Sequence, residues 1–399
     1  MTPTTAPAVR PSVAGSNVDQ LSPGRIFNFS AGPGVLPEEV IRQAQEDLWN
    51  INLDGKPTGI GIAEHSHRAK TYDKILAEAE ETCRRVGKVP ANYKVLFLTG
   101  GATSQNFMIP ANLLPDEGVA GYLTTGYWAE KTFEEGKFYS SKIYEAWDGR
   151  KVNHTYCPTD AEIKYSSDKA AYVHMCSNNT IYGTQFRNAD GTFRYPTVPA
   201  GVPLICDMSS DIYSRPLDIS KFGMIYAGAQ KNIGIAGTTL CIIREDLLKP
   251  ARKLPTMLKY ETHAKDGSRH NTPPVFAIYL SGLVFKWIEK MGGLEAMNQR
   301  NLAKAKPIYD VLDSSKFYLG HARKDSRSLM NITFKVNPTI KNAAELDELF
   351  VKEAFKAGMD QLKGHRSTGG VRASTYNAFP TSGSEALAQF MKEFEKKNG

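Results

Sequence analysis

Apolar positions fall first into helical stripes and then into short solid blocks. Residues 37–50 read as a helix opened by a proline and by Glu38 and Glu39, and residues 71–85 as a second. Short apolar runs then alternate with helical stretches, at 95–98, 119–123, 143–146, 172–176, 203–206, 224–226 and 240–243. Blocks this short and this apolar predict strands buried on both faces. Helical stretches between them predict an α/β fold with a mostly parallel sheet covered on both sides. Near residue 270 the texture changes. A long apolar helix over 274–291 ends at Gly292-Gly293. A helix over 295–312, a strand at 330–334, a helix at 343–357, a strand at 371–374 and a closing helix at 384–397 follow. This is the pattern of a smaller α+β unit.

A chain of 399 residues with 41% apolar positions is too long for one ordinary core and suits two unequal domains. Residues 1–25 are rich in Pro, Ser, Thr and Ala and read as a disordered tail. They lack the apolar core of a signal peptide. Their acid-poor composition faintly resembles an organelle transit peptide, but only Arg10 and Arg25 are basic. No stretch approaches the roughly 18 apolar residues of a membrane span. The net charge of +7 is spread along the chain rather than gathered in a basic run. It therefore favours capture of small anions over nucleic-acid binding. The five cysteines (Cys83, Cys157, Cys176, Cys206 and Cys241) are odd in number and widely spaced. They indicate neither a disulfide framework nor a zinc site, and they suit a reducing compartment, the cytoplasm.

In open α/β sheets, ligands lie beyond the carboxyl ends of the strands, and reactive residues cluster there. Lys231 follows the 224–226 strand and the small-residue turn Ala227-Gly228-Ala229. Most lysines are simply solvated. This one sits where a planar cofactor can approach the backbone, and its amine can form an imine with an aldehyde such as pyridoxal phosphate. Asp207 ends the 203–206 strand, where a buried carboxylate requires a partner. A protonated pyridine nitrogen would serve, although Ser209-Ser210 leave a helix N-cap open as the alternative. Gly100-Gly101-Ala102-Thr103-Ser104 is a glycine turn leading into a helix, able to hold a phosphate on backbone N–H groups. It is neither a P-loop nor a dinucleotide fingerprint, which counts against a Rossmann dehydrogenase. Trp128, soon after the 119–123 strand, can stack on a pyridine ring or fill the core. His67-Arg68, His365-Arg366 and Arg372 are non-periodic cations beside histidine or glycine, suited to gripping carboxylates or phosphates.

Several motifs run in order from residue 26 to the C-terminus. They are Phe27-Asn28-Phe29-Ser30-Ala31-Gly32-Pro33, Ser66-His67-Arg68, Gly228-Ala229-Gln230-Lys231-Asn232, Asn271-Thr272-Pro273-Pro274, Gly364-His365-Arg366 and Gly370-Val371-Arg372-Ala373-Ser374. Together they resemble the phosphoserine aminotransferase family, class-V enzymes of pyridoxal-phosphate fold type I. The resemblance implies an aspartate-aminotransferase-like fold with a seven-stranded type of sheet. It implies a large domain over 43–297, and a small one from 26–42 and 298–399. It also implies a homodimer with active sites at the subunit interface.

By the same resemblance Lys231 carries the cofactor and shuttles protons, Asp207 pairs the pyridine nitrogen, Trp128 stacks on the ring and Thr180 bonds its phenolic side. Ala102, Thr103 and Gln230 bind its phosphate, joined by Asn271 and Thr272 of the partner. Arg68 and Arg372 take carboxylates, while His67, His365 and Arg366 take the substrate's distal anion. The implied reaction is ping-pong transfer between L-glutamate and 3-phosphohydroxypyruvate, giving O-phospho-L-serine and 2-oxoglutarate in serine biosynthesis. A second activity in vitamin B6 synthesis is compatible with the family.

The sequence departs from that pattern at Thr103, where many bacterial members carry arginine. It also departs at Asp211, where a neutral residue is expected, at Asn106, and over residues 52–61, which read as an inserted loop. Rival readings are another enzyme of this fold, such as a serine–glyoxylate aminotransferase or a cysteine desulfurase, or a non-catalytic cofactor-binding protein. A desulfurase needs a late reactive cysteine, and the last here, Cys241, lies in an apolar strand.

Overall fold

The computed structural model describes residues 18–399. Seven strands form the central sheet: β1 (Tyr93–Thr99), β2 (Ala120–Thr124), β3 (Ile143–Asp148), β4 (Tyr172–Cys176), β5 (Leu204–Asp207), β6 (Met224–Gly228) and β7 (Thr238–Arg244). Their spatial order is β1-β7-β6-β5-β4-β2-β3. β7 runs antiparallel to both its neighbours, and the other pairs are parallel. Because β7 reverses twice, β1 ends on the same edge as β2, β4, β5 and β6. That edge gathers Thr99, Thr124, Cys176, Asp207 and Gly228.

Helices cover both faces, as buried parallel strands require. The α-helices of the described residues are α1 (Glu38–Trp49), α2 (Lys70–Gly87), α3 (Thr103–Leu113), α4 (Tyr127–Gly136), α5 (Tyr260–Lys265), α6 (Val275–Lys290), α7 (Gly293–Ser314), α8 (Ala343–Lys356) and α9 (Thr381–Asn398), of which α8 and α9 pack on a small sheet instead. α2 buries Tyr72, Ile75, Leu76, Ala79, Cys83 and Val86. This three-and-four spacing makes one apolar stripe. The stripe packs on α6, where a Cβ added to Gly282 would lie 3.1 Å from Ala79 Cβ. α2, α6 and one sheet face share one apolar core, while α3, α5 and the other face share a second.

A third core joins the end of α7, α8, α9 and a small antiparallel sheet of β8 (Tyr318–Gly320), β9 (Asn331–Val336) and β10 (Val371–Ser374). Phe29 belongs to this core, whereas Val40 and Ala44 of α1 belong to the main one. The chain thus crosses between cores near residue 35. Phe27–Asn28 pairs in parallel with Met359–Asp360.

Of the stretch expected as a tail, residues 1–17 lie outside the described residues. The rest is attached. Val18 O accepts from Arg300 Nη2 at 3.0 Å, and Asp19 bonds Arg300 and Thr381. Residues 52–57 form a tight antiparallel hairpin, Asn52–Leu53 against Lys56–Pro57, turning at Asp54 and Gly55 with positive φ. Among the described residues no helix is long and apolar enough to cross a membrane.

Candidate active site

Three parallel strands deliver the central groups. β5 ends on Asp207, β6 runs into the turn that carries Lys231, and β4 leads to Thr180 four residues beyond its end. Lys231 Nζ donates to Thr180 Oγ1 at 2.8 Å. Arg372, on β10 of the small sheet, donates from Nη1 to the Thr180 carbonyl at 3.2 Å. Thr180 therefore joins the lysine to a guanidinium brought from the other core. Burial depresses the Lys231 amine below its usual range, and the nearby Asp207 carboxylate opposes that shift. Burial likewise raises the Asp207 carboxyl, opposed by the Lys231 charge and by hydrogen bonds from Ser209.

Asp207 divides its two oxygens. Oδ1 accepts from Ser209 N at 2.8 Å and Ser209 Oγ at 2.6 Å. Oδ2 has only the Cys176 thiol, at 3.9 Å, too long for strong bonding. One oxygen of the carboxylate thus caps the turn and the other is left for a further partner. The spare oxygen suits a protonated ring nitrogen, which would be its charged donor.

The glycine turn lies beside this pair. A Cβ on Gly228 would meet Gln230 Oε1 at 2.7 Å and Ala102 Cβ at 3.4 Å. Only glycine leaves that approach open, and it brings Ala102 and Gln230 to one place. α3 begins at Thr103 with no side-chain cap on its first N–H groups, and a Cβ on Gly101 would meet nothing within 4 Å. A helix start without a side-chain cap, beside open space, could take an anion on its free N–H groups.

Trp128 sits in the first turn of α4 and is 37% exposed, so it is not a core residue here. Its ring meets Tyr127 edge-on at 5.1 Å between centroids, and Tyr127 in turn lies 6.0 Å from His365. Partial burial and the charges of Arg372 and Arg366 hold the His365 imidazole below its usual range. An arriving anion would reverse that repulsion. His365, Arg366 and Arg372 are therefore one electropositive group.

The remaining expected residues are elsewhere. His67 and Thr272 line a separate hollow of about 490 Å³ with His65 and Ser66. Arg68 is exposed, and its backbone N–H bonds Ser66 Oγ at 3.2 Å. Asn271 Nδ2 reaches Thr99 Oγ1 of its own chain at 3.2 Å, just before the glycine turn. Within one chain these four are not gathered around Lys231.

Two departures have structural explanations. Asp211 is fully buried and pairs with Arg215 at 2.7 Å. It also accepts from Gln185 Nε2 at 3.0 Å and from Ser177. The cation four residues on makes a charged residue tolerable there. Asn106 accepts from Thr132 Oγ1 at 2.9 Å and ties α3 to α4. The sequence reading missed Ser209 as the group that orients Asp207. Its spacing, two residues after a strand-end aspartate, is that of a side-chain turn and was the available signal.

A model of the class-V aminotransferase family matches residues 26–387. Phosphoserine aminotransferase of Lysinibacillus sphaericus (strain C3-41) is 49% identical over 94% of this chain and 99% of its own length. The same enzyme of Nitrosomonas europaea is 47% identical over the same shares. The chain belongs to the phosphoserine aminotransferases. The solved phosphoserine aminotransferase of Bacillus circulans subsp. alkalophilus superimposes with a TM-score of 0.87 at 46% identity, covering 94% of this chain and 99% of that one. A PLP-bound phosphoserine aminotransferase from Trichomonas vaginalis has a TM-score of 0.85 at 38% identity, covering 92% of this chain and 100% of that one. An aspartate aminotransferase from Thermus thermophilus has a TM-score of 0.72 at 15% identity, covering 94% of this chain and 100% of that one. It shares the aspartate-aminotransferase-like fold expected from the sequence.

Proposed function

We propose that the protein is a pyridoxal-phosphate-dependent phosphoserine transaminase of serine biosynthesis, acting by two half-reactions. In these an amino group passes from glutamate to the enzyme and then to 3-phosphohydroxypyruvate. The reading is carried by Lys231, bonded to Thr180 and coupled by charge to an Asp207 whose Oδ2 is held in reserve. When bound, pyridoxal phosphate supplies an aldehyde for the amino group and a protonated ring that withdraws electrons from the substrate's α-carbon. Asp207, whose Oδ2 has no close partner, would hold the proton on that ring's nitrogen. The Lys231 amine, which burial shifts below its usual range, would remove and return the proton at the substrate's Cα. Ala102, Thr103 and Gln230 would receive the cofactor phosphate, Trp128 would cover the ring, and Thr180 would steady its phenolic side. Arg372 holds the substrate carboxylate. His365 and Arg366 hold either a phosphate or a distal carboxylate, because forked and titrating donors accept both.

The test is the visible spectrum of the purified, cofactor-loaded protein. Phosphoserine and glutamate are expected to bleach its yellow colour, while serine, alanine and cysteine leave it. A response to another donor alone would remove the substrate assignment. A protein that stays colourless with added cofactor would remove the assignment of Lys231.

We also propose a cytoplasmic homodimer, in which the partner's copies of Asn271, Thr272, His67 and Arg68 complete each site. Support comes from the hollow that His67 and Thr272 share, which Lys231 does not line. All five cysteines are free and buried, which suits a reducing compartment. Mixing Lys231→Ala chains with chains carrying both Asn271→Ala and Thr272→Ala is expected to restore activity that neither has alone. In a mixed dimer one site has both an intact lysine and intact partner residues. No restoration in a verified mixed dimer would mean each chain builds its own site.

A further inference from the structure

Lys304 of α7 has no exposed surface, yet its amine is not used by the reaction described above. A long cation is rarely buried without cause, because desolvation is costly. Its amine lies within hydrogen-bonding distance of three acceptors, the carbonyls of Thr375 at 3.1 Å, Tyr376 at 2.6 Å and Asn377 at 3.2 Å. None of these partners is charged. The amine therefore gathers three successive carbonyls that no single backbone N–H could serve.

What that segment touches gives the contact its meaning. It directly follows β10, which carries Arg372. Tyr376 Oη donates to the Ala31 carbonyl at 2.6 Å. The next residue, Gly32, packs on the Lys231 side chain, with a built Cβ 3.5 Å from Cγ. Two residues on, Gly34 N donates to Gln230 O at 2.7 Å. On the other side Asn377 N donates to Asn232 Oδ1 at 3.0 Å, one residue after the lysine. The Asn377 side chain donates to Tyr213 O at 2.9 Å and accepts from Asn301 Nδ2 of α7 at 3.0 Å. The lysine loop is thus held after Lys231 by Asn377 and before it through residues 31–34, which Tyr376 holds, and the Lys304 amine bonds the carbonyls of both Tyr376 and Asn377.

We propose that Lys304 is a positioning residue, which through Tyr376 and Asn377 clamps the Lys231 loop in register with Arg372. This rests on the assignment of Lys231 above. A purely structural lysine would affect how much protein folds. A positioning lysine affects how fast each folded, cofactor-loaded molecule reacts.

The experiment uses the holoenzyme in rapid mixing with phosphoserine. Lys304→Met keeps the length and removes the donors. Its single-turnover rate per bound cofactor at saturation is expected to fall about tenfold or more, since small misplacements of reacting groups are costly. The half-saturating concentration is expected to change by less than about threefold. Tyr376→Phe, which removes only the link to Ala31 and Asn331 and keeps the ring, is expected to lower the same rate by a smaller factor. It decides the matter if Lys304→Met does not fold. Release of cofactor on dilution, which needs no substrate, is expected to be faster in both variants. Rates and release within about twofold of the parent enzyme would overturn the proposal, because the loop would then be held without the clamp. If the parent enzyme itself ignores phosphoserine, the proposed function fails and cofactor release alone decides this inference.

Discussion

Lys231→Ala is expected to abolish turnover, by about 10⁴-fold or more, while the fold persists, since both the covalent link and the proton transfer reside in one amine. Steady-state transamination and thermal unfolding check the two halves separately. The fold should persist because Lys231 Nζ makes one side-chain hydrogen bond, to Thr180, and no other element hangs on it. Near-normal transamination by the variant would refute the assignment.

The cofactor-free variant carries a further signature. Its Asp207 loses the cation that lowers an already raised carboxyl. The folded state then holds a proton that the unfolded chain has released, so stability falls as pH rises from about 4 toward the raised value. Above that value the penalty stays constant. The parent protein without cofactor should show the same slope over a narrower range, because Lys231 remains to oppose the rise.

Asp207→Ala is expected to weaken cofactor retention by about 10- to 100-fold, the worth of one charged hydrogen bond. The rate should fall by about 10²–10³-fold, the usual effect of removing one preorganised electrostatic partner. Equilibrium dialysis of the cofactor and single-turnover kinetics measure these. Asp207→Asn separates charge from shape. It keeps a side chain against Ser209 but removes the negative charge that raises the Lys231 amine. The amine of the cofactor-free variant should therefore titrate at lower pH than in the parent, measured as the pH dependence of its acylation rate. Unchanged retention in Asp207→Ala would mean that Asp207 Oδ2 faces no ring nitrogen, and an unchanged titration would mean that the Asp207 charge does not act on the Lys231 amine.

Element positions were largely legible along the chain. Residues 172–176 and 371–374 are strands at the expected bounds, and the 343–357 helix differs by one residue at its end. α4 went unread, although Gly126 precedes it, because its apolar positions are few and Trp128 drew attention as a ring-stacking residue. The reversal of β7 was also hidden. A run such as Leu240-Cys241-Ile242-Ile243 is buried on both faces in either direction, so its composition carries no sign of orientation.

The central chemistry was legible because it depends on residue type at strand ends. A lysine and an aspartate there must meet whatever the sheet presents at its carboxyl edge. Asp207 read alone left two meanings; the structure shows the turn-capping one on Oδ1 and leaves Oδ2 with only the distant Cys176 thiol. The role of Asp211 was not legible, since its tolerance depends on Arg215 turning back one helical turn away in a sealed core.

By itself, then, the chain's pattern determined a buried, mainly parallel sheet, the reactive edge and the identities of its lysine and aspartate. These follow from local periodicity and from the cost of burying charge. Only the tertiary structure decided that Arg372 reaches Thr180 from a different core and that Lys304 gathers residues 375–377. It alone separated His67 and Thr272 from the Lys231 group within one chain. The first two depend on contacts between residues 192 and 71 positions apart, and the chain's local pattern holds no record of such distances.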